Sequence, residues 1–309
     1  MRIFYVFLML IIGVSPVIGQ VGLDTLGLTG TMADTVVAKR LWDQGRGLAK
    51  NRKFDEAYSL VDSASGIWSS MFGSKNLEVA YFNFEKGKIR DAQSKYQEAI
   101  SWFDKTLEIL EEKTEKNDSL ISLIYYNKCR TYFGNRDLER SLKYGNKSLD
   151  LRISIFGQEH SDVAAAYNYL GNIYTRLDSF EKSIDCFRKA IHIRIKLFGE
   201  KNIELARSYN GLGSTFDEIG ELDSAYFYIQ KGLTIRLELL GPNHIDVAFS
   251  WHDLAVANRK VGLIDESIRC RKKSLEIFIK KYGMVNPNVA TEYNGLGVVY
   301  QDKGLLEKA

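Results

Sequence analysis

Seven side chains in this 309-residue chain could ligate a transition metal or form a nucleophile with its base. They are His160, His192, His244 and His252, with Cys129, Cys186 and Cys270. Structural and catalytic zinc sites draw such residues together at short, fixed spacings, and an activated thiol needs a base within hydrogen-bond reach. The chain has no H-x-x-x-H and no C-x-x-C spacing, so neither chemistry is signalled. The glycine strings GLG at 211–213 and 295–297 lie inside helical patterns. A phosphate-binding loop follows a strand instead. The residues therefore predict no catalytic group, no metal and no cofactor, and the chain reads as a non-enzyme.

The positions of these residues point to another organisation. His160 and His244 lie 84 residues apart, as do Cys186 and Cys270, and 84 is twice 42. Gly157, Gly199, Gly241 and Gly283 follow one another at steps of 42, and the same step backwards reaches Gly73 with a miss at Glu115. A second ladder of small residues runs Ala57, Ala99, Ser141, Ser183, Ala225, Ser267, Ala309. A fixed period of this length marks a repeat architecture, in which each unit packs only on its neighbours. Packed helices lie about 8–10 Å apart. Residues two repeats apart can therefore share neither a metal nor a disulfide, whose Cα atoms must come within about 7 Å. The three cysteines read as unpaired packing residues.

One unit runs HSDVAAAYNYLGNIYTRLDSFEKSIDCFRKAIHIRIKLFG from His160 to Gly199. Val163, Tyr167, Leu170, Gly171 and Tyr174 follow the steps of three and four of an amphipathic helix. Ile184, Phe187, Ala190, Ile191 and Ile193 repeat that spacing after a break at Leu177-Asp178-Ser179. Gly220, Gly262 and Gly304 mark the same break in sister units, where a chain leaving a helix needs a left-handed residue. Each unit is thus two antiparallel helices. Second helices are expected at 54–72, 97–115, 138–156, 180–198, 222–240 and 264–282, with a seventh cut at Ala309. The small ladder lets paired helices approach closely. A cut at a core position predicts a fragment of a longer protein, with an uncapped end open to self-association.

Tyr167, Leu170, Gly171, Tyr174, Ser183, Phe187 and Ala190 resemble the tetratricopeptide repeat. The 42-residue length, the HxDVA opening and the IRxxLFG close resemble the kinesin-light-chain type of that family. The copy at 115–156 diverges, with Lys128-Cys129 replacing Leu-Gly. The resemblance implies an all-α, right-handed superhelical solenoid of antiparallel helix pairs over residues 35–309. It implies a non-catalytic scaffold that binds a peptide or protein segment in a concave groove lined by first helices. Exported bacterial proteins of this kind also resemble sensor arms of larger effectors. These carry a CHAT caspase-like protease or a histidine kinase beyond the repeats.

In the groove so implied, one repeated position reads Tyr126, Asn168, Asn210, His252, Asn294, and neighbouring positions carry Arg130, Asn172, Arg207 and Arg259. An asparagine donates and accepts at once, which suits the backbone of an extended ligand. The arginines would favour a carboxylate-bearing one. The same asparagines could instead bond neighbouring helices and hold the repeats together, and both readings stand at this point. Trp42, Tyr81, Phe84 and Phe133 extend the groove as aromatic anchors or belong to the core. The basic stretch 269–281 reads as a solvated outer surface.

A net charge of +3 gives no indication of nucleic acid or a membrane surface, and three prolines suit an almost wholly helical chain. Residues 1–19 begin Met1-Arg2, continue apolar from Ile3 to Val14 and end in small residues at Val17 and Gly19. They read as a secretory signal peptide, so the protein is expected to be exported to a periplasm or the exterior. Residues 20–34 read as a flexible leader. Membrane attachment would rest on a part beyond residue 309.

Overall fold

A computed structural model describes residues 31–113 and 117–308. The expected signal peptide, most of the expected leader, Glu115 and Ala309 lie outside the described residues. Among these, every regular element is helical. The chain divides into two compact units at Lys113/Thr114. The first contains α1 (Thr31–Lys50), α2 (Phe54–Phe72), α3 (Leu77–Ala92) and α4 (Tyr96–Glu111). The second contains α5 (Asp118–Gly134), α6 (Leu138–Phe156), α7 (Ser161–Arg176), α8 (Phe180–Phe198) and α9 (Ile203–Ile219). It continues with α10 (Leu222–Leu240), α11 (Ile245–Lys260), α12 (Ile264–Tyr282), α13 (Pro287–Asp302) and a 3₁₀ turn at Leu306–Lys308. Odd-numbered helices are the first of each pair.

Five of the six expected second helices have the expected bounds. The exception is α4, which ends at Glu111 rather than residue 115. Its last turns carry Glu108, Glu111 and Glu112, and the aromatic or aliphatic residue and glycine that follow in most sister copies are replaced by Thr114 and Glu115. Acidic side chains at a C-terminus oppose the helix dipole. Helix α1 begins at Thr31, so residues 31–34, expected in the leader, are helical.

The termini follow the same period. Asn76, His160, Asn202, His244 and Asn286 cap first helices, each accepting from the amide two residues on. Second helices α2, α6, α8, α10 and α12 end at Gly73, Gly157, Gly199, Gly241 and Gly283, all with positive φ. The break within each pair is left-handed at every step of 42: Arg52, Ser94, Arg136, Asp178, Gly220, Gly262 and Gly304.

Each pair is closed by the small-residue ladder, whose described members Ala57, Ala99, Ser141, Ser183, Ala225 and Ser267 are fully buried. The serines also bond across the pair. Ser141, Ser183 and Ser267 donate to the carbonyls of Cys129, Gly171 and Ala255 at 2.8, 3.0 and 2.7 Å. A β-carbon on Gly171 would lie 2.8 Å from the Phe187 ring, so glycine is what lets that ring fill the pair. In the first unit Phe82 lies between Trp42 and Trp68, at centroid distances of 5.4 and 6.0 Å. The buried Phe84 meets Phe103 at 5.8 Å. Trp42 and Phe84 are therefore packing residues, not groove anchors. Their positions in the divergent early repeats face inward.

Candidate functional site

Within the second unit, successive first helices approach one another, α5 with α7 and α7 with α9. They form an inner layer, and the residues they show there are the candidate surface.

The line Asn168–Asn210–His252 runs between repeats. Asn168 Oδ1 accepts from Arg194 Nη1 at 2.9 Å and from Ser208 Oγ at 2.7 Å. Asn210 Nδ2 donates to Asp253 Oδ2 at 3.0 Å, and its own Oδ1 is buried without a partner. His252 Nδ1 donates to Glu292 Oε1 at 2.6 Å. Each of these partners lies on the next first helix or reaches it. Asn168, Asn210 and His252 thus tie first helices together. Asn294 is exposed and Asn172 half-buried. Tyr126 is half-buried, edge-on to Tyr169 at 5.8 Å and beneath Arg152 at 4.3 Å. Burial raises the pKa of both tyrosine hydroxyls, which keeps them protonated.

The arginines differ in kind. Arg130 is exposed and hydrogen-bonds Tyr169. Arg207 pairs with Glu204 at 2.8 Å and Arg259 with Asp302 at 2.5 Å. Large apolar side chains share the inner layer: Leu123, Phe249 and Val298 are 39, 43 and 40% exposed.

One ladder was missed in the sequence, although the IRxxLFG close contains it. Arg152, Arg194 and Arg236 stand 42 apart on second helices, each at most 9% exposed. Arg152 and Arg194 donate to the carbonyls of Asp162 and Glu204 at 2.6 and 2.7 Å, in the first turn of the next helix. Arg194 and Arg236 also reach Ser208 and Ser250. Burial lowers all three pKa values, yet a guanidinium keeps its proton in proteins. The signal was the 42-residue recurrence of a charge in an otherwise apolar close.

Arg271 corrects the reading of 269–281 as a solvated surface. It is 6% exposed and its Nη1 lies 3.2 Å from Glu292 Oε2. Its position is the one held by Phe187 and Ile229 in the preceding repeats, so it faces the core. The three cysteines are free and buried. Burial pushes the Cys129 thiol up to about 12 and those of Cys186 and Cys270 to about 11. All three are protonated packing groups, poor as nucleophiles.

A family model for the tetratricopeptide repeat matches residues 120–191 and 162–238. This part of the chain is a tetratricopeptide-repeat array. Such repeats are in general non-catalytic interaction modules. The putative kinesin light chain of Podosopora anserina, with nearly identical repeats of this kind, is 16% identical. It covers 67% of this chain and 98% of its own, with a TM-score of 0.55. A Rap protein complexed with competence and sporulation factor is 13% identical, covering 89% of this chain and 88% of its own, with a TM-score of 0.60. A signal-transduction ATPase with numerous domains from Pyrococcus horikoshii, which has a tetratricopeptide-repeat sensor, is 17% identical. It covers 88% of this chain and 39% of its own, with a TM-score of 0.64. At these identities the likeness is one of fold. No curated protein matches the chain.

Proposed function

We propose that the protein is a non-catalytic scaffold that holds a peptide or an extended protein segment against the inner layer of first helices. The observation that carries this reading is the exposure of the large apolar side chains Leu123, Phe249 and Val298 on first helices α5, α11 and α13. The exposed Arg130 and Asn294 and the half-buried Asn172 stand on the same layer. They supply charge and amide hydrogen bonding beside the apolar contacts, whereas Asn168, Asn210 and His252 form the wall behind them. The Rap protein of similar fold forms a complex with competence and sporulation factor, which is in keeping with a binding role for this surface. Export by residues 1–19 would place the partner outside the cytoplasm.

The test is selection of peptides from a random library on the whole chain, followed by anisotropy measurements on the winners. Leu123→Asp and Arg130→Glu should each weaken binding about tenfold, the cost of losing one contact of about 1.4 kcal/mol among several. Phe227→Ala, on a second helix, should leave it unchanged. The reading fails if the inner-layer variants bind like the parent.

The Pyrococcus ATPase favours a second reading, in which the same surface is the sensor arm of a larger effector. A CHAT caspase-like protease or a histidine kinase following the repeats would be that effector. The coding sequence downstream of residue 309 decides this.

A further inference from the structure

The junction of α11, α12 and α13 departs from its sisters at several equivalent positions at once. At α7–α8–α9 the residues that meet are Asn168, Arg194 and Ser208, and at α9–α10–α11 their equivalents are Asn210, Arg236 and Ser250. One repeat further on, these positions hold His252, Phe278 and Glu292. The lost guanidinium is replaced from the same helix by Arg271, two turns before Phe278. Gly295 of α13 leaves room for it, since a β-carbon there would overlap the guanidinium.

The result is a cluster centred on a buried carboxylate, where the sister junctions are centred on a fixed cation, Arg194 with Glu204 at 3.6 Å and Arg236 facing Asp253. Glu292 is fully buried. Its Oε1 accepts from His252 Nδ1 at 2.6 Å and from Ser274 Oγ at 3.0 Å, and its Oε2 accepts from Arg271 at 3.2 Å. The charged groups around the imidazole are Glu292 on α13, Arg271 on α12 and Asp253 on α11 itself. Arg236 of α10 faces Asp253, which also accepts from Asn210 of α9. Of the two cations on Glu292, one is permanent and one titratable. His252 is 29% exposed, so solvent protons reach it.

We propose that the His252–Glu292 contact is a proton-operated clasp, which fastens α13 to α11 when the imidazole is charged and loosens it when neutral. Hydrogen bonding to Glu292 raises the imidazole's pKa above its ordinary value, against the opposing effect of burial. The stabilisation is therefore complete below about pH 6.5, the unfolded value, and is lost as pH rises through the higher folded value. The sister junctions, built on Arg194 and Arg236, have no such dependence.

The test uses the chain without any ligand, so it stands apart from the peptide-binding reading. His252→Asn installs the residue of the sister junctions. Between about pH 5.5 and pH 8.5 the parent should lose roughly 2–4 °C more in Tm than this variant, the shift expected of one such contact in a domain of this size. His160, His192 and His244 are present in both chains and cancel. In the parent alone, amide exchange corrected for intrinsic rates should show protection of Pro287–Asp302 falling several-fold over that range, while Ser161–Arg176 holds. Equal pH dependence of the two chains, or α13 and α7 losing protection together, overturns the clasp. Should His252→Asn not fold, the exchange comparison decides by itself.

Discussion

Arg136 turns between α5 and α6 with φ of +62°, and Arg52, Ser94 and Asp178 do the same in their repeats. A left-handed conformation costs an L-residue about 1–2 kcal/mol, and glycine escapes that cost while losing more chain entropy. Arg136→Gly should therefore stabilise the protein by about 0.5–1 kcal/mol, read as a raised Tm in thermal melts. Asp178→Gly should gain less, because aspartate tolerates this region better than arginine. The glycines at 220, 262 and 304 disclosed the turn in the sequence. Its four non-glycine members did not, because their conformation is imposed by the helices on either side. At the same scale, the asparagine line was visible as a spacing but its partners were not. Ser208 and Asp253 lie 40 and 43 residues away from Asn168 and Asn210, and only stacking makes them neighbours.

Among the elements, second helices carry the joints. Arg194 Nη1 bonds at once to Asn168 Oδ1, the carbonyl of Glu204 and Ser208, linking α8 to both α7 and α9. Hydrogen bonds to a charged group contribute about 1.5–3 kcal/mol each, and stranding their buried partners adds to the loss. Arg194→Ala should cost about 3 kcal/mol in urea unfolding. Arg194→Lys should recover only part of it, since an ammonium cannot reproduce the planar fork. Helix bounds were legible in the sequence because glycine and asparagine mark the ends locally. The bound of α4 was not. Its close lacks the aromatic-glycine pair, and acidic residues end the helix early.

For the whole molecule, repeats contact only their neighbours, so stability is a sum of local terms. In Arg194→Ala, amide protection should fall most in α7–α9 and least in α12, as read by hydrogen exchange of native protein. Uniform loss throughout the second unit would show a single cooperative block instead. The sequence by itself determined the all-helical fold, the 42-residue unit, the small-residue contacts and the unpaired cysteines. All of these depend on periodicity and local chain chemistry, which survive in one dimension. The tertiary structure alone decided which face each polar residue meets. It turned Asn168, Asn210 and His252 toward neighbouring repeats, buried Arg152, Arg194, Arg236 and Arg271, and left Leu123, Phe249 and Val298 exposed. The physical reason is that a helix residue's partner in the next repeat depends on how two helices are set against each other. Side chains 40 or more positions apart in the chain settle that setting jointly.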